Sequence, residues 1–199
     1  MGIKAEVRMI SGCRDSQTSA DVSDVSEFQL PDPAGRSGGA CTSALLRVLY
    51  ADEQAPEVAL SFQEVLLHMR QILQNDGYEQ IPQLTSSKQF SIQENFDIVP
   101  EYATGKKRAV LIGINYVGHN PGELSGCHND VFNIKKYIMD VHGFEEDDIM
   151  ILLDDGYHIS PTKDNIMAAY RQLAAESEPG DAVFCHYSGM FFIFEQKID

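Results

Sequence analysis

The strongest restriction on the fold of this chain is an alternation of apolar runs and amphipathic segments in its second half. Residues 108–117 are almost continuously apolar, which is typical of a strand buried on both faces of a sheet. Apolar residues at helical spacing over 129–141 predict a helix. The pair recurs as a strand over 148–153 and a helix that begins after Pro161, and a third strand covers 182–187. This order predicts an α/β fold with a mostly parallel sheet flanked by helices.

Two loops follow the carboxyl ends of the predicted strands, where parallel sheets carry their functional groups. The first leads into the GCHND segment at 126–130, at a strand-to-helix turn. A helix N-terminus offers free N–H groups and partial positive charge, which lower the pKa of a thiol such as Cys127 and stabilise a carboxylate such as Asp130. In the simpler interpretation, Asn129 or Asp130 only caps the helix. Cys127 and His128 are sequence neighbours and give weak support for a catalytic pair.

The first half of the chain has a less regular pattern. The one plausible linker, at 101–107, is short, so we expect the two halves to be in contact. Pro82 favours an edge position for any strand that contains it. The predicted elements are a strand (6–10), a polar loop (11–21), an extended connection rich in Pro and Gly (23–39), two helices (40–50 and 61–75) and a further strand (80–85).

The charge and cysteine content exclude several classes of function. The net charge is −15, from 30 acidic and 15 basic residues, and nucleic acid binding needs clustered Lys and Arg. The four cysteines show no C-x-x-C spacing, as expected of free thiols in a reducing compartment. No secretory signal is visible, and no apolar run approaches the ~20 residues of a membrane span. We therefore expect a cytoplasmic protein without nucleic acid or membrane partners.

Long blocks in both halves carry a resemblance to one known family. RAVLIGINY at 108–116, GCHND at 126–130 and YSG at 187–189 are similar to the start of the large-subunit region of the metacaspases, which are caspase-like cysteine endopeptidases. SGCRDSQTSADV at 11–22 and QIPQLTS at 80–86 are similar to the small-subunit region of that family. Because the small-subunit blocks come first, the order resembles that of the type III metacaspases.

The resemblance implies a caspase-like fold and a set of substrate-binding residues. Asp130 would line an acidic pocket that accepts Arg or Lys before the scissile bond, and Asp21 would lie on the small-subunit side of the same groove. Cys127 would lie near the pocket without being the nucleophile. Ser188 and Gly189 would belong to the turn that presents the catalytic histidine. The implied activity is proteolysis of peptide or protein substrates after Arg or Lys, with Ca²⁺ implied for intact family members.

The sequence departs from the family pattern directly after Gly189. Family members continue Tyr-Ser-Gly-His-Gly, whereas this chain has Met190, which cannot exchange a proton. The Asp-x-Cys-x-Ser-Gly segment that carries the family's nucleophile has no match, and the acidic residues associated with Ca²⁺ belong to the same stretch. We therefore expect no catalytic residue, no cofactor and no peptidase activity in this chain. The alternative is a non-catalytic protein that binds peptides or regulates active relatives.

The resemblance also leads to expectations about the sheet and the assembly. His186 shares a sheet face with Ser188, and a structural role suits it better than that of a substitute base. The family's nucleophile strand is an inner one, so without it we expect an incomplete fold. This fold is either marginally stable, or residues 191–194 or a small-subunit strand occupy the gap. We expect a monomer. The chain divides into a small-subunit-like region (1–100), a linker (101–107), the first part of a large-subunit-like region (108–189) and an aberrant tail (190–199).

Overall fold

The structure is a computed structural model that describes residues 5–53 and 59–190, without the side chains of residues 52 and 53. Two short 3₁₀ helices, Val25–Phe28 and Glu146–Asp148, accompany the longer elements. In chain order the strands and α-helices are β1 (Arg8–Ser11), β2 (Asp21–Val22), β3 (Gly38–Gly39), α1 (Ala40–Glu53), α2 (Phe62–Asn75), β4 (Gln83–Ser86), β5 (Lys107–Gly113), α3 (Cys127–Asp140), β6 (Ile149–Leu153), α4 (Lys163–Glu176) and β7 (Ala182–Ser188).

A three-stranded parallel sheet with the order β6-β5-β7 forms the centre of the second half. Successive side chains of a strand point to opposite faces, and β5 is apolar on both. Leu111 packs with α3 on one face, whereas Val110 and Ile112 pack with α4 on the other. The predicted parallel sheet flanked by helices is therefore confirmed.

The first half packs directly against this sheet layer. Leu46 and Leu49 of α1 share a buried cluster with Val131 and Ile134 of α3. The strands of the first half form two separate antiparallel pairs, β1 with β4 and β2 with β3. The expected contact between the two halves is confirmed, and it is built around a common apolar core.

Three local predictions differ from the structure. Strand β5 ends at Gly113, earlier than predicted, because the N–H groups of Asn115 and Val117 bond to the Asp154 side chain instead of a neighbouring strand. Helix α3 begins at Cys127, two residues before the predicted start. The connection over 23–39 is not wholly extended, since the 3₁₀ helix Val25–Phe28 buries two apolar side chains in the first-half core.

The edge of β7 that faces away from β5 also differs from one of the expectations about the gap in the sheet. Among the described residues β7 pairs with β5 alone, and no small-subunit strand pairs with it; those strands form the separate pairs β1 with β4 and β2 with β3. The expectation of a small-subunit strand in the gap was therefore wrong. The alternative of residues 191–194 lies outside the described residues, and marginal stability stays a prediction. None of the described helices has the length and apolar content to cross a bilayer.

Candidate functional site

Asp130 is a buried carboxyl group in the first turn of α3, with 1% of its surface exposed. Both of its oxygens accept the Gly39 backbone N–H, at 2.9 and 3.0 Å, and the Ser188 hydroxyl donates to Oδ2 at 2.6 Å. Burial raises the pKa of Asp130 to about 7, although the hydrogen bonds from Ser188 and Gly39 act in the opposite direction. The carboxyl group therefore changes charge near neutral pH.

Asp21 holds the same end of α3 from the other half of the chain. Its Oδ2 accepts the backbone N–H of Ser125 at 2.8 Å and the Ser125 hydroxyl at 3.0 Å, while Oδ1 accepts the Gly126 N–H at 3.0 Å. Gly126 is the N-cap residue and has no side chain with which to cap the helix. Asp21 therefore supplies a carboxylate at the positive end of the helix, where negative charge is stabilised.

Glycines allow the two carboxyl groups to approach a common point. In the β2–β3 pair Asp21 lies opposite Gly39, whose N–H bonds Asp130. A Cβ atom on Gly39 would lie 2.6 Å from Oδ2 of Asp130, and one on Gly126 would lie 2.5 Å from the Cα of Gly38. Only glycine permits so close an approach of β3 to α3. The result is an acidic cluster of Asp21, Asp130, Ser188 and the backbone of Gly38–Gly39, which we call the acidic pocket.

Gln80 stabilises the loop that ends at Asp21, a role that the sequence did not suggest. Its side chain is 5% exposed, its Oε1 accepts the Ala20 N–H at 2.7 Å, and its Nε2 donates to the Gly12 carbonyl at 3.1 Å. A buried amide with both ends bonded fixes the two ends of a loop at once. Its place within the QIPQLTS block was the one available signal.

A second group that sequence reasoning missed lies at the carboxyl ends of β5 and β6. Asp154 bonds to the loop after β5 and to His128, and the Asn115 side chain accepts the Cys127 N–H at 2.9 Å.

The interpretation that Asn129 or Asp130 caps α3 was wrong, because Asn129 donates instead to the Ser37 carbonyl and hydroxyl. Side chains remote in sequence perform the capping.

The thiols near the site are protonated rather than activated. Cys127 is 4% exposed, and burial raises its pKa to about 12, so desolvation outweighs the helix N-terminus that was expected to lower it. Burial likewise raises the pKa of Cys41 to about 12. The ring of His128 bonds to Asp154 and not to Cys127, so these sequence neighbours do not form a catalytic pair.

His186 lies on the same face of β7 as Ser188, as predicted. Its Nε2 is 3.4 Å from the Thr42 hydroxyl, and its buried Nδ1 has no hydrogen-bond partner among the described residues. Burial lowers the pKa of His186 to about 4, so the ring is neutral near pH 7. Within the described part of the chain no cysteine thiol is hydrogen-bonded to it.

The remaining predicted residues lie at the end of β7. Gly189 follows Ser188 directly, and a Cβ atom there would lie 2.9 Å from the Tyr187 hydroxyl oxygen. The carbonyl of Met190 accepts a hydrogen bond from the Tyr116 hydroxyl, which ties this end of β7 to the loop after β5. The structure thus brings Asp21, Asp130 and Ser188 together at the start of α3: Ser188 bonds Asp130, and Asp21 bonds Gly126. Cys127 lies beside Ser188, and Gly189 lies at the margin of this group.

The Ca²⁺ ion implied by the resemblance needs several oxygen ligands close together. Across 5–53 and 59–190 there is no group of three or more His, Cys, Asp or Glu side chains that could hold a metal ion. The described residues therefore do not fit a Ca²⁺ site, and no step is assigned to that ion.

Both halves of the chain match known peptidase families. Residues 2–91 match the family profile "Caspase domain", and residues 107–197 match "Metacaspase, peptidase C14 domain". The chain is 59% identical over 187 residues to Metacaspase III c of Phaeodactylum tricornutum, an alignment that covers 94% of this chain and 56% of that protein.

Fungal relatives are similar over a shorter segment. The chain is 37% identical to Metacaspase-1A of Neurospora crassa over 120 residues, which is 58% of this chain and 26% of that protein. It is 46% identical to Metacaspase-1 of Botryotinia fuckeliana over 88 residues, covering 43% and 21% respectively. The chain thus spans about half, or less, of the length of these relatives. Its high identity to a type III protein, together with the two successive profile matches, establishes that the chain belongs to the metacaspase family.

Proposed function

We propose that this chain carries the basic-residue pocket of a cysteine endopeptidase that cleaves after Arg or Lys. The observation that supports this most strongly is the proximity of Asp21 and Asp130, which come from separate halves of the chain. The backbone of Asp21 pairs with Gly39, whose N–H bonds the Asp130 carboxyl group, and the Asp21 carboxylate bonds the Gly126 N–H at the start of the helix that carries Asp130. A guanidinium or ammonium group is the side-chain chemistry that two carboxyl groups at one point attract. The substrate would be a peptide or protein segment that presents such a residue.

The hydrogen bonds of the pocket orient both carboxyl groups. An ionised carboxylate offers about four lone-pair sites. Asp130 accepts hydrogen bonds from the Gly39 N–H, the Ser188 hydroxyl and the Thr42 side chain, and Asp21 accepts them from Ser125 and Gly126. These donors fix the direction of both carboxyl groups, so a guanidinium group meets acceptors that are already oriented. Preorganisation of this kind lowers the cost of binding.

We propose further that residues 1–199 bind such peptides without cleaving them. Peptide hydrolysis by this chemistry needs a thiolate and a histidine that protonates the leaving amine. Met190 stands where the family resemblance puts that histidine, and the high pKa of Cys41 and of Cys127 keeps both thiols protonated near pH 7. The chain would then act as a monomeric, non-catalytic peptide-binding protein outside membranes, which is the second candidate function.

A calorimetric comparison of two peptides tests the binding proposal. One peptide contains a single Arg, and the other contains citrulline, whose neutral urea group has the same shape. We expect the Arg peptide to bind at least about tenfold more tightly, because citrulline cannot pair with a carboxylate. Equal affinity, or no binding of either peptide by folded protein, would contradict the proposal.

A turnover assay separates the two candidate functions. Incubation of the 199-residue chain with an Arg-containing peptide should leave the peptide intact, and binding without turnover supports the non-catalytic function. Cleavage that persisted after Cys127→Ala would overturn the claim that these residues do not catalyse hydrolysis. The variant is the matched control, because the Cys127 thiol is hydrogen-bonded to Ser188 of the pocket and truncation removes it. Cleavage that Cys127→Ala abolished would overturn the claim equally.

A further inference from the structure

Asp154, at the carboxyl end of β6, is the centre of a hydrogen-bond group beside the acidic pocket. Its Oδ1 accepts the Asn115 N–H at 2.9 Å and lies 2.6 Å from Nε2 of His128, and its Oδ2 accepts the Val117 N–H at 3.1 Å. The side chain is 20% exposed. Burial raises the pKa of Asp154, but the hydrogen bonds from His128, Asn115 and Val117 outweigh it and hold the pKa below its ordinary value. This carboxylate is therefore ionised in the folded chain near neutral pH.

Two of these contacts lead to the first turn of α3. Asn115, whose N–H bonds to Asp154, uses its side-chain Oδ1 to accept the Cys127 N–H at 2.9 Å. His128 itself belongs to that turn. Asp154 thus holds the start of α3 from the sheet side, while Asp21 holds Ser125 and Gly126 just before it.

We propose that Asp154 is a positioning residue for the acidic pocket, because through Asn115 and His128 it determines where the first turn of α3 places Asp130 relative to Asp21. This inference rests on the proposed function, in which both carboxyl groups meet one cation. The hydrogen bonds of Asp154 go to Asn115, Val117 and His128, and none of them goes to a pocket residue.

The tight packing at the start of α3 explains why this placement is sensitive. Gly126 already approaches Gly38 so closely that one added carbon atom would lie 2.5 Å from its Cα. A shift of α3 toward β3 is therefore blocked, and a shift away lengthens the bonds from Gly39 to Asp130 and from Gly126 to Asp21. Removing the Asp154 carboxylate permits the second movement, and it separates the two acidic side chains.

The neighbouring residue Asp155 provides a matched control. It is also a carboxylate after β6, but it accepts the N–H groups of Tyr157 and His158 and the His158 ring within its own loop, at 2.7–2.9 Å. Asp154→Asn and Asp155→Asn make the same chemical change one residue apart. Only the first removes a group that is bonded to the α3 region.

The test compares both variants in three measurements: Arg-peptide affinity by calorimetry, the alkylation rate of Cys127 followed by peptide mass mapping, and the melting temperature. We expect Asp154→Asn to weaken peptide binding about tenfold and to speed alkylation of the buried Cys127 about tenfold. Asp155→Asn should leave both values unchanged. Asn115→Leu, which removes the acceptor of the Cys127 N–H, should reproduce the effects of Asp154→Asn, and the double variant should add little to either.

The outcomes separate this inference from the function on which it rests. Wild-type affinity and wild-type alkylation in Asp154→Asn, or in Asn115→Leu if the first variant does not fold, would overturn the positioning role. Equal losses in Asp154→Asn and Asp155→Asn would also overturn it, since they would show a general effect on the loop. If wild-type protein binds no Arg peptide while Asp154→Asn still exposes Cys127, the proposed function fails and the positioning of α3 stands.

Discussion

Burial and hydrogen bonding shift the pKa of the Asp130 carboxyl group in opposite directions. Burial dominates and raises the pKa to about 7, despite the donors on Gly39 and Ser188. The titratable groups that face it are Asp21 on β2, Cys41 on α1 and Cys127 in the same turn of α3, with His186 reached through Thr42. The two thiols and His186 are uncharged near pH 7, because their pKa values lie at about 12 and about 4. The charge of the pocket therefore depends on the two carboxyl groups.

This environment predicts that Arg-peptide binding tightens as the pH rises from 6 to 8. Below pH 7 Asp130 is protonated and attracts the cation weakly, whereas above pH 7 it is ionised. With a pKa of about 7, the ionised fraction rises about tenfold over this range, and the affinity should follow it. Calorimetry at several pH values measures the effect, and Asp130→Asn should remove it. An affinity that does not change between pH 6 and pH 8 would contradict the assignment.

At the scale of elements, apolar periodicity predicted the strands and helices well but not their ends near the site. Strand β5 and helix α3 were recognised from patterns within single segments. The early end of β5 and the early start of α3 depend on Asn115, Asp154 and Asp21, which act across 12 to 105 positions of sequence. An apolar pattern within one short segment carries no information about contacts with distant residues. The ends of helices and strands are therefore the least reliable part of a sequence-based prediction.

The contact of β3 with α3 leads to a prediction for Gly126→Ala. The added carbon atom would meet the Gly38 backbone at 2.5 Å, and because backbone on both sides cannot yield easily, we expect a loss of about 1–3 kcal/mol in stability. Arg-peptide affinity should fall as well, since β3 carries the Gly39 donor. Urea unfolding and calorimetry measure the two effects.

Gly35→Ala is the control for that experiment. Its Cβ atom would also be crowded, at 2.6 Å, but the neighbour is the Asn129 side-chain amide, which is able to rotate away. We expect a smaller loss of stability and little change in peptide affinity. If Gly126→Ala were no worse than Gly35→Ala in both measurements, the close approach of β3 to α3 would not be needed for the pocket.

For the whole molecule, the acidic pocket depends on the docking of two halves. Asp21 caps α3, the Gly39 N–H bonds Asp130, and the Ser37 hydroxyl donates to the Ser125 carbonyl at 2.6 Å. The two family profiles cover these halves separately, at 2–91 and 107–197. The group formed by Asp21, Gly39 and Asp130 is thus a property of the interface between the halves and of neither half alone.

Because the site forms between distant parts of the chain, the sequence could predict only part of it. Residues 21 and 130 were associated through family resemblance, because strands of two residues such as β2 and β3 leave no pattern that would bring them together. Gln80 and Asp154 were missed, since each acts on a loop that is distant in sequence. The parallel sheet could be predicted without knowledge of such long-range contacts, because each of its strands is recognisable from its own apolar run.

The most direct test of the account is a double-mutant cycle on the two carboxyl groups, with Asp21→Asn, Asp130→Asn and the double variant. Asparagine removes the negative charge and retains one of the two oxygen acceptors, for Gly126 or Gly39. Calorimetry with the Arg and citrulline peptides should show that each single variant weakens Arg binding about tenfold. The two losses should be non-additive, because both groups meet one cation, and citrulline binding should stay constant. Unchanged Arg affinity in both single variants, or equal losses for the two peptides, would contradict a basic-residue pocket formed by Asp21 and Asp130.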